Sequence, residues 1–407
     1  MADRFIYLDN NATTPADPRV VDAMLPYFHE MPGNAASRSH PWGWQAEEAV
    51  QLAREQVAAL AKVDPKEIIF TSGATESDNL ALKGVFELYR RKGNHLITVK
   101  SEHNAVLDAC RRIEKMGGEV TYLHVDADGL IDLAELEAAI RDTTILVSIM
   151  WANNETGVIQ PMAAIGEICH RHGILLMSDA TQAIGKIPID PKAAGVHLMA
   201  FTAHKLYGPK GVGALFVSQR QPRVKVTPQI DGGGHERGMR SGTLNVPGIV
   251  GFGRAAELAS EELAADARRL AGWRDRLENR LLERLEATVV NGHRQHRLPN
   301  VSNLSFRHIE GEQLMMTFNQ ELAVSSGSAC TSASLEPSHV LTAMGLSDDL
   351  AHAAIRFSLG RFTQEADIDR AAELVIAGVE QLRARSPIWE MYKEGVDINA
   401  LRGQGPA

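Results

Sequence analysis

The chain has 407 residues, 44% of them hydrophobic, with a formal charge of −9. That length allows two domains with ample core, and the negative balance argues against direct binding of nucleic acid. No apolar run approaches the roughly 18 residues of a membrane helix, and residues 1–8 carry neither a signal-peptide core nor transit-peptide character, which predicts a cytoplasmic protein.

A strand-like segment opens the chain, and Pro15 and Pro18 separate it from the next element, so it can join either domain. From residue 68 to 217, short apolar runs alternate with amphipathic stretches. The runs cover 68–70, 95–99, 120–125, 145–151, 174–177, 198–201 and 213–217. Helical patterns such as 107–115 and 163–172 lie between them. This alternation predicts parallel strands joined by crossover helices, an α/β fold. Residues 251–287 are long, charged and periodic, which predicts one or two helices. Short strands at 301–306 and 355–359 flank a Ser-rich loop and predict a smaller α+β domain. The expected division is a large domain over 15–261 and a small one made of 1–14 and 262–407.

Five of the runs stop at polar clusters on their C-terminal side, the edge where parallel sheets bind ligands. Thr71, Ser72, Gly73, Ala74, Thr75 and Glu76 follow the first. Small hydroxyl residues opening a helix make an anion pocket of backbone N–H groups, although N-capping alone also explains them. Glu102, His103 and Asn104 follow the second. Asn153, Asn154 and Glu155 follow the run ending at 151. Asp179 and Gln182 follow the next, and Thr202, His204 and Lys205 the last. A lone His here is more often a core residue, and a lone Asp a helix cap. Five clusters on one edge bring together an anion pocket, an aromatic base, an amide, a carboxylate and a lysine. Pyridoxal phosphate needs that set: a lysine for its aldehyde, a carboxylate for its ring nitrogen, a flat group on its ring and a cradle for its phosphate. Lys205, at a strand end, is a better carrier than Lys210 in the turn Gly208-Pro209-Lys210-Gly211. Such a lysine must be held still and partly desolvated.

Cys330 lies in Ser325-Ser326-Gly327-Ser328-Ala329-Cys330-Thr331-Ser332-Ala333-Ser334. Free cysteine is usually buried, whereas this Gly/Ser composition predicts a hydrated, flexible loop. A reachable thiol there is either a tolerated surface cysteine or a nucleophile that travels to its target. An unperturbed thiol is only about 3% thiolate at pH 7, so it needs a helper. Cys110 and Cys169 are widely separated from it and match no disulfide or zinc spacing.

Together these motifs resemble the cysteine desulfurases of the NifS/IscS family, closest to the housekeeping IscS type. The matching stretches run nearly end to end: 8–15, 71–79, 152–157, 179–182, 204–211, 232–238, 325–338 and 356–359. The thiol loop and the motif His204-Lys205-Leu206-Tyr207-Gly208-Pro209-Lys210-Gly211 are the specific ones. Thr202-Ala203 stands where a Ser-Gly pair is expected before His-Lys, but the hydroxyl is kept. The resemblance implies a fold-type-I pyridoxal-phosphate transferase with a mainly parallel seven-stranded sheet and a smaller α+β domain, built as a homodimer. It implies that Lys205 carries the cofactor, Asp179 pairs with the ring nitrogen, Gln182 reaches the ring hydroxyl and His103 stacks on the ring. It places Ala74, Thr75, Thr202 and His204 at the phosphate, Thr243 at the phosphate of the neighbouring subunit, and Asn154 at cofactor or substrate. Arg356 would clamp the carboxylate of L-cysteine, and Cys330 would collect the sulfur as a persulfide and release L-alanine.

The same resemblance implies delivery to an iron–sulfur scaffold protein and to other acceptors, including those serving tRNA thiolation. No resident metal is expected. Iron–sulfur would be shared only transiently, through Cys330, with the scaffold. The segment 386–393 would help dock that partner, unless Trp389 and Tyr392 simply pack on their own domain. Selenocysteine cleavage, other lyase chemistry and aminotransfer share such a scaffold. The loop cysteine separates these from desulfuration, and the intact Lys205, His103, Asp179 and Cys330 argue against a non-catalytic sulfur carrier.

Overall fold

The computed structural model describes residues 5–220, 222–326 and 336–396. β1 (Ile6–Tyr7) opens the chain. The main sheet contains β2 (Ile68–Thr71), β3 (His95–Val99), β4 (Glu119–Leu123), β5 (Thr144–Ser148), β6 (Leu175–Asp179), β7 (Leu198–Thr202) and β8 (Gly213–Val217). Its order is β2-β8-β7-β6-β5-β3-β4. β4, β3, β5, β6 and β7 pair in parallel, as the alternating pattern predicts. β8 is the exception and runs antiparallel to both β7 and β2. No crossover helix lies between β7 and β8, only the turn through Ala203–Lys205 and the loop after it, so the chain doubles back. Lys205 therefore sits in a 3₁₀ turn, Ala203–Lys205, rather than at a strand end.

Most of these strands are buried along their length, as β5, β6, β7 and β8 show. That explains their continuous apolar runs. One face packs against the helix Pro41–Ala61 and the first part of the helix Val246–Arg284, with Val50, Val57, Phe201 and Phe252 in the contact. The other face packs against the helices Ala74–Tyr89 and Asn104–Lys115, through Leu80, Val85, Phe86, Val106 and Ile113. Each fully buried Phe or Leu of this kind contributes about 1.5–3 kcal/mol.

The periodic stretch after residue 250 is one helix, Val246–Arg284. The Asn245 side chain caps it by accepting from the Gly248 N–H at 3.1 Å. Residue 261 lies inside this helix. Its second half packs into a separate apolar cluster with Leu270, Leu277, Leu281, Phe306, Phe357 and Val375. A four-stranded antiparallel sheet backs that cluster. Its strands are β9 (Thr288–Val290), β10 (Val301–Phe306), β12 (Ser325–Ser326) and β13 (Ala354–Ser358), in the order β12-β13-β10-β9. β11 (Leu322–Ala323) pairs in parallel with β1. Ile6 and Leu8 join the same cluster, so the opening strand sits with the C-terminal elements. No helix among the described residues is long and apolar enough to cross a membrane.

Candidate active site

A cavity of about 580 Å³ opens at the C-terminal ends of β2, β3, β5, β6 and β7. Its lining includes Ala74, Thr75, His103, Asn154, Asp179, Gln182, Thr202, His204, Lys205 and Arg356. All five polar clusters thus meet at one place, and Arg356 joins them from β13. Lys210 also lines the cavity. Thr243 does not line it and is exposed. Cys330 lies outside the described residues.

The floor is held by short local bonds. The first turn of the helix Ala74–Tyr89 faces the cavity at Ala74 and Thr75, with its N-terminal N–H groups unused by the helix. Its approach is possible because Gly213 has no side chain: a Cβ there would lie 2.7 Å from the Gly73 Cα. Thr202 is buried and its hydroxyl donates to the Val212 carbonyl at 3.0 Å. Asp179 ends β6, and the Thr181 N–H donates to its Oδ1 at 2.8 Å. His103 caps the helix Asn104–Lys115, its Nδ1 accepting from the Ala105 N–H at 3.1 Å. Burial pushes the His103 imidazole below its ordinary range, so the ring is neutral near pH 7 and its proton lies on Nε2. Burial, with Lys205, Lys210 and Lys186 nearby, lowers His204 to about 4.

The walls are held from far away in sequence. Arg356 is 4% exposed. It donates to Asp9 Oδ1 at 2.8 Å and to the Asn154 carbonyl at 3.1 Å. Its Nε has no hydrogen-bond partner. Lys205 Nζ donates to the carbonyls of Asn11 and Ala12 at 2.5 and 2.6 Å. The segment Asn11–Ala12–Thr13 therefore borders the cavity beside the lysine.

Several residues here carry little or no signal in the sequence. Asp78 lines the cavity, is wholly buried, and neither of its carboxyl oxygens has a hydrogen-bond partner. Burial, followed by Asp179 and Glu102, pushes its carboxyl well above the usual range. Glu102, also buried, accepts from the Met150 N–H at 2.5 Å and is raised for the same first cause. A signal for Asp78 existed. It occupies the same helix face as Ala81, Leu82 and Val85, where an apolar residue belongs. Asn11 lies in a stretch that resembles the family but carries no local sign of its role.

Two buried cavity-lining atoms, Asn154 Oδ1 and Thr181 Oγ1, also lack partners. A polar group in the cavity would satisfy them. With an anion-ready helix terminus, a carboxylate, a neutral imidazole and a lysine, the donor set fits pyridoxal phosphate. Among the described residues, no group of His, Cys, Asp and Glu is placed to hold a metal ion.

Comparison with known proteins agrees. The aminotransferase class-V family model matches residues 6–371. The cysteine desulfurase IscS of Escherichia coli (strain K12 / DH10B) is 59% identical over 399 residues, covering 97% of this chain and 98% of that protein. A solved NifS-like protein superposes with a TM-score of 0.85 at 39% identity, covering 92% of this chain and 99% of that one. SspA, solved in complex with cysteine, superposes with a TM-score of 0.77 at 35% identity, covering 88% and 100%. The chain belongs to the class-V aminotransferase family, in its pyridoxal-phosphate-dependent cysteine desulfurase branch.

Proposed function

We propose that this cavity takes sulfur from L-cysteine and leaves it as a persulfide on Cys330, releasing L-alanine. The observation that carries the reading is how the described chain flanks residues 327–335. On one side β12 pairs with β13, Ser325 opposite Arg356. On the other, Ser338 Oγ donates to Glu155 Oε2 at 2.6 Å, and His339 Nε2 lies 2.8 Å from the Glu102 carbonyl. Arg356, and the neighbours of Glu102 and Glu155 in sequence, His103 and Asn154, line the cavity. Cys330 follows Ser326 by four residues, a span of at most about 14 Å of extended chain. The other two thiols are poor alternatives. Cys110 and Cys169 are buried, and burial pushes each up to about 12.

Bound pyridoxal phosphate supplies an electron sink for bonds at the α-carbon of the amino acid. Lys205 would carry it, and its amine would be the group placed to take the α-proton. Asp179, with Oδ1 held by its own turn, has a second oxygen for the ring nitrogen. Gln182 would meet the ring hydroxyl, His103 would cover the ring, and the Ala74 N–H, Thr75, Thr202 and neutral His204 would hold the phosphate. Arg356 clamps the substrate carboxylate and Asn154 contacts the bound molecules. The Cys330 thiolate attacks the substrate sulfur. The S–S bond forms as the Cβ–S bond breaks, and the electron pair stays with carbon, which takes up a proton to become alanine.

The chain forms two lobes, 15–261 and 1–14 with 262–407, joined within the helix Val246–Arg284. It works as a homodimer in which Thr243, exposed on one protomer, reaches the phosphate of its partner. It passes sulfur to an iron–sulfur scaffold protein and other acceptors through Cys330 and the face around the helix Pro387–Lys393. In that helix, Trp389 is held by Arg383 at 4.1 Å and by Tyr392 at 5.2 Å, while Ile388 and Met391 are 38% and 40% exposed. It acts in the cytoplasm, in keeping with two buried free thiols.

The test is Cys330→Ala in the full-length holoenzyme. The variant is expected to keep its cofactor colour and to form neither persulfide nor sulfide from L-cysteine. Undiminished turnover would overturn the assignment.

A further inference from the structure

Lys186 is an amine that the chemistry above leaves unused. Its side chain is half-buried along its length and its ammonium end is enclosed. Nζ donates to Gln182 Oε1 at 2.6 Å and to Asn11 Oδ1 at 3.1 Å. Gln182 Nε2 donates to the Asn11 carbonyl at 2.9 Å. The same carbonyl accepts from Lys205 Nζ at 2.5 Å. Lys186, Gln182, Asn11 and Lys205 thus form one connected arrangement at the cavity wall.

Asn11 is fixed independently. Its N–H donates to Ser358 Oγ at 2.9 Å, its Nδ2 to the Asn154 carbonyl at 3.1 Å, and its Oδ1 also accepts from Asn300 Nδ2 at 3.1 Å. Gln182 has more freedom, because turning a terminal amide over exchanges O and N with almost no change in shape. Its partners must decide which end points where. Charged or neutral, the amine has at least two N–H donors; one goes to Asn11 Oδ1 and another to the Gln182 atom facing it, which is oxygen. The N–H₂ end is then left toward Asn11 and the cavity.

Placing this amine here is costly. Lys205 and His204 face it from the turn after β7, and Arg356, paired with Asp9, from β13. Its hydrogen-bond partners are amide oxygens, not carboxylates. Burial and the two cations pull Lys186 well below the ordinary amine range. An apolar side chain of similar length would avoid that cost.

We propose that Lys186 is a positioning residue: it fixes the Gln182 amide with its N–H edge toward the cofactor ring. This rests on the reading of the cavity as a pyridoxal-phosphate site with Gln182 at the ring hydroxyl.

The test reads the pH midpoint of the cofactor's visible absorption in the full-length holoenzyme. Gln182→Ala serves as the reference and is expected to shift that midpoint. Lys186→Met is expected to shift it in the same direction, by at least half as much. The double variant should move no further than Gln182→Ala alone, because both changes remove one interaction. Lys186→Arg, which keeps the donors, should stay near the parent. Half-saturation of the apo-protein by pyridoxal phosphate should rise about tenfold in Lys186→Met, the loss of one hydrogen bond. Lys186→Gln is carried in parallel, so that a packing defect from the apolar end does not decide the result. If Gln182→Ala shifts the midpoint while Lys186→Met and Lys186→Gln leave it unchanged, the inference fails and the cofactor reading stands. Additive shifts in the double variant would also overturn it. If Gln182→Ala itself shifts nothing, the role given to Gln182 falls, and the inference with it.

Discussion

The floor and the walls of the cavity are held in different ways. Asp179 and His103 are each fixed by the N–H two residues further on. Arg356 is fixed by Asp9, 347 residues away, and Lys205 by Asn11, 194 residues away. The floor therefore takes shape with the main sheet alone. The walls exist only when the N-terminal segment and β13 close onto that sheet. In the proposed chemistry, the groups that need a fixed charge or ring would sit on the floor, and those that meet the substrate's ends on the walls.

Substitutions that break this contrast should separate by kinetic constant. The largest effect is expected for Asp179→Asn, which keeps the floor's shape and removes its charge. Its kcat should fall by roughly 10²–10⁴-fold, with cofactor still bound and KM little changed. A loss confined to KM would remove Asp179 from the chemistry. Arg356→Lys attacks the wall. It keeps one positive charge but loses the planar fork, and KM for L-cysteine should rise by about 10–100-fold with a smaller change in kcat. An unchanged KM in steady-state assays would contradict the clamp. Asp9→Asn acts one step further out. Loosening its 2.8 Å contact with Arg356 should raise KM by about fivefold, roughly 1 kcal/mol, and leave the visible spectrum alone. A spectral change would mean that Asp9 serves the floor.

The smallest expected effect is on stability. The Asp78 carboxyl is raised in the folded protein relative to about 4 in the unfolded chain. The folded state thus binds more protons above pH 4, and stability falls as pH rises from there toward the folded value. Asp78→Asn removes that loss. In denaturant titrations of the apo-protein it should stabilise by about 1 kcal/mol or more at pH 7 and by less at pH 5. A gain independent of pH would show that the carboxyl titrates normally.

The same contrast governs what the sequence discloses. The floor is legible because each polar cluster directly follows an apolar run, and a strand end fixes where such residues lie. Lys205, although a wall residue, is found the same way with His204, because both directly follow an apolar run even though they sit in a 3₁₀ turn. β8 reads in the sequence as another parallel strand, since an apolar run carries no sign of its direction. The rest of the walls is hidden. Nothing local in Asn11 announces partners at Lys186 and Lys205, 175 and 194 residues on, and only closure of the fold brings them together. Arg356 is identifiable through the family motif, not through its own surroundings in the sequence. Thr243 and Cys330 remain sequence-based assignments, one exposed on this chain and the other outside the described residues.

The most direct measurement is reduction of the holoenzyme with borohydride and mass mapping of the peptide that retains the cofactor. Two lysines, Lys205 and Lys210, line the cavity. The floor-and-wall account predicts the pyridoxyl group on Lys205, the amine held between the Asn11 and Ala12 carbonyls. A stoichiometric adduct on Lys210, or on any lysine outside the cavity, would contradict it.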